Sequence, residues 1–264
     1  MNRTDQELVS RSLARSRTDA ARLIAAGRVL LDGVVVTKAS KKVESHNDLQ
    51  VLASELQEYA SRAGHKLAGA LDLFGDVRPD GLRCLDAGAS TGGFTDVLLR
   101  RGAAHVVAVD VGHDQLVDEI RHDPRVTVHE GMNVRYLVPE DIGGEVDLVV
   151  ADLSFISLRL VMQPLAGATC PGGTLLLMVK PQFEVGREHL GKTGVVTSPG
   201  LRRDSVENVV ASAYAAGLEL AGLARSPLPG QDGNIEFFLR LAKPQAADPQ
   251  SAPDALMLDR VDYS

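Results

Sequence analysis

The residues best able to do chemistry stand where apolar runs end. Asp86 closes Leu82-Arg-Cys-Leu and opens Ala-Gly88-Ala-Ser90-Thr-Gly92-Gly93, and Asp110 closes Ala104-His-Val-Val-Ala-Val, 24 residues further on. Asp152 closes Val146-Asp-Leu-Val-Val-Ala, Lys180 closes Thr174-Leu-Leu-Leu-Met-Val, and Glu236 lies in Ile235-Glu-Phe-Phe-Leu-Arg-Leu241. Three readings compete for the Gly-rich loop. A dinucleotide fingerprint fails, because Ser90 occupies the middle glycine, where pyrophosphate must approach the backbone. A nucleophile elbow, Gly88-Ala-Ser90-Thr-Gly92, fits locally, but that fold needs strands and an oxyanion loop before its serine, and only about 80 residues precede it. The third ligand is S-adenosyl-L-methionine, whose amino-acid end is a zwitterion and whose sulfonium carries no phosphate, so carboxylates beside a glycine turn suit it. On that reading Asp86, Gly88, Ala89, Ser90, Thr91 and Gly92 shape the turn, and Asp110, with Val111 after it, accepts both ribose hydroxyl protons. A strand-end cap is the plainer account of Asp110, and ordinary loop hydrogen bonding of Ser90.

Residues just past the later strands narrow the choice of methyl acceptor. Enzymes acting on exocyclic amines place Asn or Asp, Pro-Pro and an aromatic after the fourth strand, whereas this chain reads Asp152-Leu-Ser-Phe155. A cytosine carbon-five enzyme needs Pro-Cys, and Cys170-Pro171 has the reverse order. Asn133 and Val134 come after the run Arg125 to His129, where an adenine would stack and hydrogen-bond. Phe155 is a wall beside the methyl or the target base, or a core residue.

Positioning these groups requires a particular scaffold. From residue 82 strands alternate with helices, which gives a mainly parallel sheet covered on both faces, with ligands beyond its carboxyl ends. The 264 residues, 44% hydrophobic and 24% charged, can bury a core and exclude both disorder and a membrane protein. Cys84 and Cys170 form no disulfide framework, no secretory signal or spanning segment is recognisable, and the seven histidines lack metal-ligand spacing. A reducing cytoplasm and no structural metal are therefore expected. Net charge is −7, but residues 1 to 43 carry nine Lys or Arg against four Asp or Glu. A basic head on an acidic body suits a polyanion, and a solvated helix face is the bland alternative.

In that head, Thr4-Asp-Gln-Glu7 has capping-box spacing, Ser16 to Asp19 repeats the cue, Gly27 ends the second helix, and Asp32-Gly33 between apolar runs signals a hairpin. Leu13-Ala-Arg-Ser-Arg17 and Ala21-Arg-Leu-Ile-Ala-Ala-Gly-Arg-Val-Leu-Leu-Asp-Gly33 resemble the small RNA-binding domain named for ribosomal small-subunit protein four. Aromatics are few, so phosphate and shape reading is expected rather than base stacking. Candidate RNA contacts are Arg3, Arg15, Arg17, Arg22 and Lys41 in the head, with Arg62, Arg135 and Arg187 in the body.

The set Ser61-Arg-Ala-Gly-His-Lys66-Leu67, Asp86 to Thr95, Glu130-Gly-Met-Asn-Val-Arg135, Lys180-Pro-Gln-Phe-Glu-Val-Gly186 and Asn234-Ile-Glu236 closely resembles the TlyA family over residues 3 to 243. The resemblance implies an α/β chain: a class I (Rossmann-like), FtsJ-like methyltransferase domain at 62–243 and a small N-terminal α+β RNA-binding domain at 1–55. Residues 56–61 are expected as a linker and 244–264 as a disordered tail. It also implies methyl transfer from S-adenosyl-L-methionine to cytidine ribose 2′-hydroxyls in ribosomal RNA of both subunits, in the cytoplasm, with an effect on susceptibility to capreomycin-type cyclic peptides. Lys66, Asp152, Lys180 and Glu236 would then match the K-D-K-E catalytic tetrad of ribose methyltransferases, and Asp152 would also touch the cofactor. A ribose hydroxyl attacks a sulfonium methyl better if a base removes its proton; burial and the Lys66 ammonium favour a neutral Lys180, while Asp152 and Glu236 favour a charged one. Other classes are a noncatalytic ribosome-binding or assembly factor, which an intact tetrad argues against, and a haemolysin, which no long apolar or amphipathic segment supports.

Overall fold

A computed structural model of the chain describes residues 2–14, 16–25, 27–44, 46–52, 59–186, 189–191, 193–230, 233–245 and 255–264, in two units, Met1–Glu58 and Tyr59–Ser264. The first unit runs β1 (Asn2–Arg3), α1 (Thr4–Ser10), α2 (Arg17–Ala25), β2 (Val29–Leu31), β3 (Val34–Val35), β4 (Lys42–Val43) and β5 (Leu49–Val51). β2 pairs antiparallel with β3 and β5, and β1 with β4. Asp32 and Gly33 have φ of 52° and 77°, the left-handed pair that a two-residue hairpin turn requires. Leu8, Leu23, Ile24, Val29 and Val43 close a small core. The capping box expected at Thr4 and Glu7 does not form. Thr4 is fully buried and its hydroxyl donates to the Lys41 carbonyl (2.9 Å), because β1–β4 pairing brings that oxygen to the helix start. Ser16 does accept the Asp19 amide, at 3.2 Å.

In the second unit α3 (Arg62–Leu73) precedes β6 (Arg83–Ala87), α4 (Gly93–Arg100), β7 (His105–Asp110), α5 (Asp118–Arg121), β8 (Val126–Glu130) and β9 (Val146–Ala151). Next come α6 (Met162–Ala168), β10 (Thr169–Val179), α7 (Pro199–Ala215), β11 (Glu219–Arg225), β12 (Phe237–Ala242) and α8 (Ala255–Asp259). The strands form one sheet in the order β11-β12-β10-β9-β6-β7-β8, with β12 antiparallel to both neighbours and the other pairings parallel. Strand alternation divides the core between two faces. Leu85, Ala87, Val107 and Val109 pack with Leu165, Val206 and Val210 of α6 and α7, whereas Cys84, Val106 and Ala108 pack with Leu67, Phe94 and Leu98 of α3 and α4. Chain order reverses between β6 and β9, and in such sheets the crevice for a ligand opens at that reversal.

Two expectations about boundaries change. Residues 56–58 of the expected linker lie outside the described residues, but Tyr59–Ser61 belong to the body. Tyr59 is buried, the Ala60 amide donates to Asp96 Oδ2 (2.8 Å), and Ser61 precedes α3 as its N-cap. The tail, expected to be disordered through residue 264, ends in structure. Leu258 and Tyr263 are buried, Tyr263 packs on Phe237, and Arg202 donates to the Tyr263 carbonyl (2.7 Å). Met257, Leu258 and Tyr263 pack on the core and supply enough apolar surface to hold this segment, which the polar stretch before it conceals in a composition reading.

Candidate active site

The tetrad converges because three strands deliver Asp152, Lys180 and Glu236 to one end of the sheet and a helix supplies Lys66. Val179 of β10 pairs with Phe237 of antiparallel β12, so the next register position sets Lys180 beside Glu236. Leu177 pairs with Ala151, which puts Asp152 at the same edge. Lys66 comes from α3, its ammonium paired with Glu236 and 3.9 Å from Met178 Sδ. Lys180 Nζ lies 2.6 Å from Asp152 Oδ1 and donates to Ser154 Oγ at 2.9 Å. The four groups thus form two ion pairs, with Lys66, Lys180 and Glu236 all nearly excluded from water.

Beside them opens a cleft of about 590 Å³, within the range of small-molecule sites. Gly88, Ser90, Asp110, Val111, Asn133, Val134, Asp152 and Phe155 line it, as do Gln115, Leu153, Ser154, Ile156 and Val161, which carry no distinguishing signal in the sequence. Asp110 shapes the mouth. Its Oδ2 accepts the Ser90 amide (2.8 Å) and its Oδ1 the Gly112 amide (2.7 Å), which fixes both loops and leaves further lone pairs on each oxygen. The Asn133 side-chain oxygen accepts the Arg135 amide at 3.0 Å, so its NH₂ is the free end. Ser90 sits at φ 47° and its hydroxyl donates to Gln115 Oε1 (3.3 Å), a loop role rather than a nucleophile's.

Other expected contacts stand elsewhere. Asp86 does not reach the cleft: it is fully buried, and its Oδ2 accepts the Thr95 hydroxyl (2.7 Å) while Oδ1 has no partner among the described residues. Burial pushes its carboxyl up to about 7. The residue therefore supports the loop from beneath. Ala89 lines a small adjoining hollow with Leu116 and Val128, and neither Thr91 nor Gly92 lines the cleft; Gly92 (φ 94°) is the N-cap of α4. Phe155 is not core. It is 92% exposed, at φ 64°, with its ring 5.3 Å from that of Phe183.

Of the candidate RNA contacts, Arg3 and Arg17 flank the buried Asp5 carboxylate at 2.9 and 3.1 Å, and the Arg3 guanidinium holds that acid below the usual carboxylate range. Lys41 is exposed; Arg62 is exposed and donates to the Pro229 carbonyl (3.2 Å); exposed Arg135 lies over the Tyr136 ring. Arg15, Arg187 and the Arg22 side chain lie outside the described residues. Among the described residues no helix is long and apolar enough to cross a membrane, and no cluster of His, Cys, Asp and Glu could hold a metal.

Comparison with known proteins agrees with this architecture. Residues 59–243 match the FtsJ-like methyltransferase family and residues 3–49 the S4 domain. The chain is 53% identical over 239 residues to the 16S/23S rRNA (cytidine-2′-O)-methyltransferase TlyA of Mycobacterium tuberculosis, covering 90% of this chain and 89% of that one. It is 32% identical to the 23S rRNA (cytidine-2′-O)-methyltransferase TlyA of Campylobacter jejuni, covering 87% and 95%. A solved candidate hemolysin from Streptococcus thermophilus superposes with a TM-score of 0.76 at 37% identity, covering 98% and 94%. The chain belongs to the TlyA family of methyltransferases, an S4 domain followed by an FtsJ-like domain.

Proposed function

We propose that the protein transfers a methyl group from S-adenosyl-L-methionine to the ribose 2′-hydroxyl of cytidine in ribosomal RNA, acting in the cytoplasm on the small and large ribosomal subunits. The observation that carries this is Lys180 Nζ held between Asp152 and Ser154 at the edge of the cleft. The cofactor suits the residues present: the cleft is large enough, among the described residues no phosphate-binding basic side chain lines it, and Asp110 keeps lone pairs for ribose hydroxyls. Gly88 and Ser90 would border its amino-acid end, Val111, Asn133 and Val134 its adenine, and Asp152 and Phe155 its reactive end. When bound it supplies an electrophilic methyl on a sulfonium.

The chain's own residues do the rest. Lys180 Nζ, after giving a proton to solvent, takes the hydroxyl proton as the oxygen attacks, and Asp152 and Ser154 are placed to stabilise the ammonium so restored. The Lys66–Glu236 pair ties α3 to the start of β12 beside Met178. Phe155 offers a face for the target base, and holding both reactants in one cleft contributes through positioning. Arg3, Arg15, Arg17, Arg22 and Lys41 of the head, with Arg62, Arg135 and Arg187 of the body, would take phosphates. The 53% identity to the relative named for both 16S and 23S RNA favours both subunits over one, and modification there would set susceptibility to capreomycin-type cyclic peptides. Lys180→Ala tests the reading: methyl transfer to subunits should fall at least about 100-fold while calorimetric cofactor affinity is kept. Transfer at the wild-type rate would remove Lys180 from the chemistry.

A further inference from the structure

The segment between Asp152 and Leu158 is held at both ends. At one end Lys180 Nζ donates to Ser154 Oγ. At the other, the Glu184 carboxylate accepts the Ser157 hydroxyl at Oε2 (2.6 Å) and the Leu158 amide at Oε1 (2.7 Å), with Arg159 Nε 3.4 Å away. The Glu184 side chain is 1% exposed, although it ends a short turn whose other residues include Lys180 and Phe183. Between the two clasps Phe155 adopts φ 64° and turns its ring out to solvent. A bulky residue in that region is strained and persists only where its surroundings impose it. The exposed ring reaches neither core and touches only the Phe183 ring, on the turn that Glu184 ends, so the clasps and that one contact impose it.

We infer that Glu184 is a positioning residue: by gripping Ser157 and Leu158 it locks the 154–158 segment and presents Phe155 at the mouth of the cleft beside Lys180. Burying a carboxylate is unfavourable unless its oxygens are satisfied, and here two donors on the neighbouring loop satisfy them. The same two loops carry Asp152 and Lys180, so this grip and their ion pair join the loops twice. Glu184→Gln keeps an acceptor for the Leu158 amide but turns an NH₂ toward Ser157 and Arg159, which opens half of the clasp. Ser157→Ala opens the same half from the other side.

The inference rests on the proposed part of Phe155 in methyl transfer, and the test separates the two. The chain has no tryptophan, so Phe155→Trp installs a single reporter. Its fluorescence anisotropy should approach that of a rigid side chain and fall by about a third or more when Glu184→Gln or Ser157→Ala is added. Anisotropy unchanged in both variants would overturn the inference whatever the enzyme does. In turnover with ribosomal subunits, Glu184→Gln should lower kcat/KM about tenfold with cofactor affinity within twofold. In a Phe155→Ala background it should cost less than about threefold more, because both changes remove one device. Losses that multiply would place Glu184 outside the presentation of Phe155. If Phe155→Ala leaves transfer unchanged while the anisotropy still falls, the clasp stands and the catalytic reading of Phe155 fails.

Discussion

Replacing Glu236 by Gln is the sharpest single perturbation of the site. The side chain is nearly isosteric, so packing is kept and only the negative charge is lost. What remains is the Lys66 ammonium, 9% exposed at its side chain, with Met178 Sδ at 3.9 Å in place of a counterion. Breaking a buried pair from one side costs about 3–5 kcal/mol, because the surviving charge stays desolvated. In a unit the size of Tyr59–Ser264, each kcal/mol moves Tm by about 2–4 °C, so a fall of about 10 °C is expected. Lys66→Met should cost a similar amount by stranding the carboxylate. The double variant should recover at least about 2 kcal/mol of the summed loss, since no buried charge is left alone. Urea unfolding of the four proteins, with m-values compared, measures each quantity. Additive losses, or single variants within about 0.5 kcal/mol of wild type, would refute the claim that the pair is buried and mutually dependent.

Three further outcomes are expected from other parts of the molecule. The folded-state carboxyl of Asp86 is raised by burial to about 7, so between about pH 4 and 7 the folded chain keeps a proton that the unfolded chain has released. Stability from this group therefore falls as pH rises through that window, by at most about 4 kcal/mol; urea midpoints at pH 5 and pH 8 should differ less in Asp86→Asn than in wild type, and an equal difference would contradict the burial argument. Phe155→Gly relieves the left-handed backbone and loses little packing, so stability should hold or rise by about 1 kcal/mol while kcat/KM on subunits falls, and a loss of stability would contradict the exposed placement. Lys41→Ala should lower the salt-dependence slope of RNA binding by about 1 without altering cofactor affinity, and an unchanged slope would remove this residue from the phosphate contacts.

How much of the molecule was legible in the sequence depends on the kind of signal. Parallel strands buried on both faces read as continuous apolar runs ending in a charged residue, which is why Asp110, Asp152 and Lys180 could be picked out at the sheet edge. Spacing does not encode side-chain direction. Asp86 fits the same pattern yet points beneath its loop to Thr95, and Ser154, two residues past Asp152, gave no sign that it would accept from Lys180. The capping box at Thr4 met a local rule, but a long-range pairing, β1 with β4, claimed the hydroxyl first. The C-terminal segment was concealed for a related reason: Leu258 and Tyr263 follow a polar stretch, and their partners, Phe237 and Arg202 among them, are supplied by the fold. Glu184 lies within the Lys180-to-Gly186 motif, but its work on Ser157 and Leu158 depends on the two loops meeting, which only the sheet arranges.

The central claim is that a sugar oxygen, not a base atom, receives the methyl. Purified small and large subunits incubated with enzyme and cofactor labelled in the methyl group test it directly, with the RNA then digested in alkali. The account predicts label in alkali-resistant dinucleotides with cytidine on the 5′ side, and none with Lys180→Ala. Label recovered only on free nucleotides, in the base, would contradict it.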